Sequence, residues 1–198
     1  MPMQRLNLCF PMCSIVWLAL LLSSCNGGNV QATRTETSSV IPFSLTSPAF
    51  IQGSMIPALY ACDSTNISPE LHWNRPFTTV AAFALIMDDP DVPTQPWVHW
   101  LVYNIPATDT VLPMHFPMDS VLTNGTKQGL TSFRITGYGG PCPPDGVHRY
   151  YFKLYALDTK INLPSCDTKS QLLNAMNGHI LGEADLMGKY TRKKLTNK

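Results

Sequence analysis

The run Val80-Ala81-Ala82-Phe83-Ala84-Leu85-Ile86-Met87, cut off by Asp88-Asp89-Pro90-Asp91, constrains this chain more than any other feature. An unbroken apolar run of this length, bounded by turn formers, predicts a buried strand. Trp97 to Ile105 and His148 to Leu157 read as two further strands. Strand side chains alternate between faces. That places His99, Leu101 and Tyr103 on one face of the second strand, and Trp100 and Val102 on the other. On the third strand, His148, Tyr150 and Phe152 share a face. Long amphipathic stretches are few and prolines number 17, so the chain is expected to be mostly β. With 44% hydrophobic and 14% charged residues it can bury a core, which excludes wholesale disorder. One helix is expected late in the chain. Thr168 and Gln171 form a capping box, Leu172, Leu173 and Met176 an apolar stripe, and Gly178 a stop. Ile180 to Tyr190 returns as a strand or an irregular segment.

The first residues belong to targeting, not to the fold. Leu6 to Leu22 is almost wholly apolar, Arg5 is the sole charge before Arg34, and Leu22-Ser23-Ser24-Cys25 resembles a bacterial lipobox. Residues 1–24 are therefore expected to be a signal peptide, and Cys25 the lipidated residue. Polar residues 25–40 would be a flexible tether, 41–192 the folded domain and 193–198 a basic tail. The expected location is the bacterial cell envelope, lipid-anchored to a membrane and facing the periplasm or the outside.

The full chain carries 14 basic and 13 acidic residues. No basic surface with interleaved aromatics points to nucleic acid. Of the six cysteines, Cys9 and Cys13 leave with the signal and Cys25 takes lipid. Cys62, Cys142 and Cys166 then remain, enough for one disulfide whose pairing the sequence leaves open. No cysteine spacing fits structural zinc.

Three segments carry chemistry. Asp88-Asp89-Pro90-Asp91-Val92-Pro93 is a proline-stiffened turn that projects carboxylates. Val98-His99-Trp100 sits in a strand. Gly140-Pro141-Cys142-Pro143-Pro144-Asp145-Gly146-Val147-His148-Arg149-Tyr150 is a rigid loop entering another strand. His and Tyr can donate to phosphate or carboxylate oxygens. Gly139 and Gly140 would let backbone N–H groups approach an anion closely. Nothing beside Cys142 lowers its thiol pKa, so it is not read as a nucleophile. His72, His115 and His179 have no such context and read as structural. Trp97 and Trp100 read as core or rim.

These segments resemble the phosphatidylethanolamine-binding protein family, also called the Raf kinase inhibitor proteins, in its bacterial branch. The DPDxP turn with its His-aromatic strand and the GPxxxxGxHRY segment are both present. Cys62 to Trp73, Asn177 to Leu181 and Gly188 to Tyr190 are similar to flanking family segments. The resemblance implies a large central antiparallel sheet packed on a smaller sheet, with few short helices near the C-terminus. It implies an anion pocket of Asp89, His99, Gly140, Pro141, His148 and Tyr150, with Asp91 and Tyr138 lining or supporting it. The expected activity is non-catalytic binding of a small anionic ligand, phosphate or phospholipid-headgroup-like, with no cofactor or metal and with an envelope protein as a further partner.

Carboxylates fit an anion site poorly unless they act on the histidines. The expectation is that Asp89 accepts from a His ring N–H, fixing its tautomer and favouring its charged form, while Asp91 organises the turn. Two alternatives stand beside this reading. One is an inhibitor of an envelope hydrolase. The other is a metal-dependent hydrolase using Asp89, Asp91, His99 and His148.

Overall fold

The computed structural model describes residues 41–192. The expected signal peptide, lipidated Cys25, tether and basic tail lie outside the described residues. In chain order the strands are β1 (Leu45–Thr46), β2 (Leu71–Trp73), β3 (Ala82–Asp89), β4 (Trp97–Pro106), β5 (Val111–Leu112), β6 (Lys127–Gln128), β7 (His148–Leu157) and β8 (Ile180–Tyr190). The helix α1 (Lys169–Met176) stands between β7 and β8, and a 3₁₀ turn spans Ala58–Tyr60. The segment Ile180–Tyr190 is therefore strand throughout.

The strands form a three-stranded sheet, β1-β2-β5, and a five-stranded sheet, β6-β4-β3-β7-β8. All the strand pairings are antiparallel. The apolar run at Val80–Met87 forms most of β3, at the centre of the larger sheet and buried along its whole length. Such a strand needs cover on both faces. Phe83, Leu85 and Met87 pack on one side with Trp100, Val102, Phe152 and Leu154, against Leu45, Leu71, Trp73 and Leu112 of the smaller sheet. Ala84 and Ile86 pack on the other side with Leu101, Tyr103 and Leu157, against Leu172 and Met176 of α1. Each large side chain buried this way contributes about 1.5–3 kcal/mol.

The capping box forms as expected. Thr168 Oγ1 accepts from Gln171 N, and Gln171 Oε1 accepts from Thr168 N at 2.9 Å. The apolar stripe is narrower than the sequence suggested, because Leu173 is 37% exposed while Leu172 and Met176 are buried. The helix ends before Gly178, whose φ of +83° suits glycine.

Simple alternation fails on β4. Met87 pairs with Trp100 but Asp88 pairs with Val98, so His99 is an extra residue in the ladder. This bulge breaks the alternation. His99 leaves the face of Leu101 and Tyr103, where alternation put it, and packs edge-on against Tyr150 at 5.1 Å between ring centroids. Tyr150 belongs to the core between the sheets. A second register shift lies between Phe83 and Leu85. There Asn104 takes a φ of +57°, and Ile105 joins Val102 in the same core.

Candidate functional site

Three nearby carboxylates diverge because strand alternation and the turn send them to different places. Asp88 faces α1, where its Oδ2 accepts from Lys169 Nζ. Asp89 points the opposite way, alongside β7. Its Oδ2 accepts from His148 Nδ1 at 2.7 Å, and its Oδ1 accepts from Asp91 N at 2.8 Å. Asp91 turns outward. Its carboxylate takes Arg149 N at 2.8 Å and Arg149 Nη2 at 2.5 Å, with Nε between its oxygens. The Arg149 guanidinium holds the Asp91 carboxyl below its ordinary pKa, partly opposed by burial. Asp91 thus straps the acidic turn to β7.

The two histidines are fixed differently. His99 is 3% exposed, and its Nδ1 meets the Gly139 carbonyl oxygen at 2.6 Å. A carbonyl only accepts, so Nδ1 carries the proton. Burial pushes the His99 pKa below its ordinary value, partly offset by the Gly139 carbonyl and the Asp89 charge. His148 gives its Nδ1–H to Asp89, and the two side chains are 12% and 3% exposed. The expected Asp–His contact is therefore made by His148, not His99.

Tyr150 is fully buried, and its hydroxyl has no hydrogen-bond partner among the described residues. The oxygen lies close enough to Asp89 and to the Cys142 N–H for both to act on its ionisation. Burial, then the Asp89 charge, raises its pKa and keeps it protonated.

Asp89, His99, His148 and Tyr150 line one cavity of about 310 Å³. Trp97, Phe133, Val92 and Pro93 supply apolar wall on one side, and Cys142, Pro143 and Pro144 on another. Sequence reading did not place Phe133, whose ring stands edge-on to both Trp97 and His99 at 5.5 and 5.2 Å. Its only sequence signal is that it is the one aromatic residue between Gly129 and Gly137. Trp97 takes the rim position expected of it, and Trp100 the core.

Four other expected residues do not line the cavity: Gly140, Pro141, Asp91 and Tyr138. Gly139 N donates to His99 O at 2.9 Å and Gly140 N to Asn66 Oδ1 at 2.8 Å. The anion nest expected from these glycines is thus not formed, because both N–H groups are used internally. Gly140 is there for closeness. A Cβ on it would sit 2.3 Å from both Asn66 Oδ1 and Tyr60 O. Tyr138 donates to Tyr60 O at 2.7 Å and packs edge-on against Trp100. Pro141 O accepts from Cys62 N at 3.1 Å.

The disulfide joins Cys62 to Cys142, and Cys166 is exposed and unpaired among the described residues. It fastens the cavity wall to the 60–66 segment. The four residues of the metal-hydrolase alternative do not converge, since Asp91 is turned to Arg149. No group of three or more His, Cys, Asp or Glu among the described residues is arranged to hold a metal. His72 and His179 lie away from the cavity, paired with Glu70 and Asp158.

The family model for phosphatidylethanolamine-binding protein matches residues 46–191. The chain belongs to this family. It is 47% identical over 144 residues to a UPF0098 protein of Methanothermobacter thermautotrophicus, covering 73% of this chain and 95% of that one. It is 37% identical over 183 residues to a UPF0098 protein of Pyrococcus abyssi, covering 90% and 96%. Among solved structures, Escherichia coli YbcL is 34% identical with a TM-score of 0.71, over 76% of this chain and 99% of that one. A phosphatidylethanolamine-binding protein homologue from Chlamydia trachomatis is 40% identical with a TM-score of 0.70, over 76% and 98%. The two-sheet architecture is that of the family.

Proposed function

We propose that this domain is a non-catalytic binding protein that takes a small oxyanion, phosphate or a phosphorylated headgroup, in the Tyr150 cavity. The observation that carries this reading is the Tyr150 hydroxyl. A buried hydroxyl without a partner is disfavoured by about 1–3 kcal/mol, and here it belongs to a residue that lines a cavity large enough for a small ligand. An oxyanion oxygen would satisfy it. His148, its ring oriented by the Nδ1–H bond to Asp89, lines the same cavity with an Nε2 that makes no hydrogen bond among the described residues. The description of the family as phosphatidylethanolamine-binding supports a phosphorylated ligand.

We further propose that the chain is exported and held by lipid on Cys25. The lipobox-like Leu22-Ser23-Ser24-Cys25 supports this, and so does the Cys62–Cys142 disulfide, a bond that persists in oxidising compartments. The apolar rim of Val92, Pro93, Trp97 and Phe133 supports a second role, display of the cavity face to an envelope protein.

The cavity reading is tested by titrating the purified chain with inorganic phosphate while following histidine side-chain resonances. Shifts at His99 and His148, with His72 and His179 unmoved, are expected. Saturable shifts confined to the latter pair, or none, would overturn it.

A further inference from the structure

A second cavity, of about 380 Å³, lies behind the wall of the first. Neighbouring residues of β4 serve the two. Trp97 and His99 line the Tyr150 cavity, while Val98 between them lines this one. The loop after β6 divides in the same way, with Phe133 in the first cavity and Thr131 and Ser132 in the second. Two bonds clasp that loop to β4, Ser132 N to Val98 O and Val98 N to Ser132 Oγ, both 2.9 Å. The first turns of α1 complete the lining from Thr168 to Leu173.

The sequence puts Leu173 in the apolar stripe of α1, yet it is 37% exposed. It stands in this cavity with Pro96, Val98 and Leu130, which together make an apolar floor. The rest of the lining is polar and almost without charge. Lys169 is the one charged side chain in it, and its ammonium is bonded to the buried Asp88 carboxylate. Ser132 Oγ accepts from Val98 N, which leaves its O–H to donate. The Ser170 hydroxyl and the Gln95 amide make no hydrogen bond among the described residues, so each can donate and accept. Thr131 and Thr168 have given their O–H groups to Ile135 O and Gln171 Oε1 and keep only acceptor capacity.

A charged ligand would shed its water here without meeting a free counter-charge. A purely apolar ligand would bury the free hydroxyl and amide groups unpaired. A neutral ring bearing several hydroxyls meets both demands. Each of its hydroxyls donates and accepts, and its C–H surface covers Leu173. We propose that the second cavity is a binding site for a neutral polyhydroxylated ring, a single sugar residue. The volume falls in the range of small-molecule sites. The proposal is independent of the oxyanion reading, because the two cavities share no lining residue.

The test is a titration of the full chain with methyl glycosides of glucose, galactose, mannose and N-acetylglucosamine, followed by backbone amide and leucine methyl resonances. At least one glycoside is expected to give saturable shifts at Val98, Ser132, Ser170 and the Leu173 methyls by about 50 mM, enough to fill a site of millimolar Kd. Inorganic phosphate should leave these resonances unmoved. Leu173→Asp removes part of the floor and adds a charge, so it should weaken the glycoside at least about tenfold. Leu173 is already partly exposed, and an unchanged melting temperature would show that the variant folds. If it does not fold, the comparison of glycosides with phosphate on the wild-type chain decides alone. Phosphate shifts at Ser132 and Ser170 would assign the cavity to anions and overturn the proposal. Glycoside shifts confined to the Tyr150 cavity, or none from any glycoside at about 50 mM, would overturn it as well.

Discussion

Replacing both disulfide partners, Cys62→Ser with Cys142→Ser, should be the most disruptive change available outside the core. The bridge spans a sequence separation of 80. In the chain-entropy account, freeing a loop of that size stabilises the unfolded state by about 4.5 kcal/mol. For a domain of about 150 residues, each kcal/mol moves the melting temperature by about 2–4 °C, so a fall of about 9–18 °C is expected. The effect should also be felt at the cavity. Upstream, Cys62 N donates to Pro141 O and Gly140 N to Asn66 Oδ1, so residues up to Pro141 stay stitched. Downstream, Pro143 and Pro144 have no N–H to donate, and the disulfide is the last tie before β7 begins at His148. Both prolines line the cavity. The double variant should therefore lose phosphate affinity in addition to stability. Thermal unfolding followed by circular dichroism, on the variant and on wild type with a dithiol reductant, measures the first effect. Calorimetric titration measures the second. A melting temperature within about 3 °C of wild type would refute the reasoning.

Two other expectations follow from the same geometry. Gly140→Ala forces a Cβ to within 2.3 Å of Tyr60 O and Asn66 Oδ1, so a loss of about 1–3 kcal/mol is expected in urea unfolding. His99 is held below its ordinary pKa of 6.5, so the unfolded chain binds more protons there than the folded one. Stability should rise with pH from the depressed value up to 6.5 and be lost as pH falls through that window. The slope should vanish in His99→Gln, read from urea midpoints across the window; an unchanged slope would assign it to another group.

Much of the framework was legible in the sequence. The unbroken run at Val80–Met87 led to a buried strand because few other structures bury that much contiguous apolar surface. The capping box led to the start of α1 because both of its bonds are local. What was not legible depends on pairing across the chain. His99 reaches Tyr150 only because β4 carries one residue more than β3 opposes, and a bulge has no side-chain pattern of its own. Gly139 and Gly140 look like an anion nest until His99 O and Asn66 Oδ1 claim their N–H groups. The pairing of Cys62 with Cys142 was one of three combinations the sequence allowed. Phe133 enters the cavity wall from a loop that ordinary strand reasoning passes over.

The central claim is that the buried Tyr150 hydroxyl waits for an oxyanion. Tyr150→Phe removes that hydroxyl and leaves the ring in place. Calorimetric titration with inorganic phosphate should show affinity lower by about 10–100-fold, the range of one hydrogen bond to a charged group. The melting temperature of the unliganded variant should stay level or rise, because an unpartnered buried polar group has been removed. Phosphate binding as tight as in the wild-type chain would contradict the account.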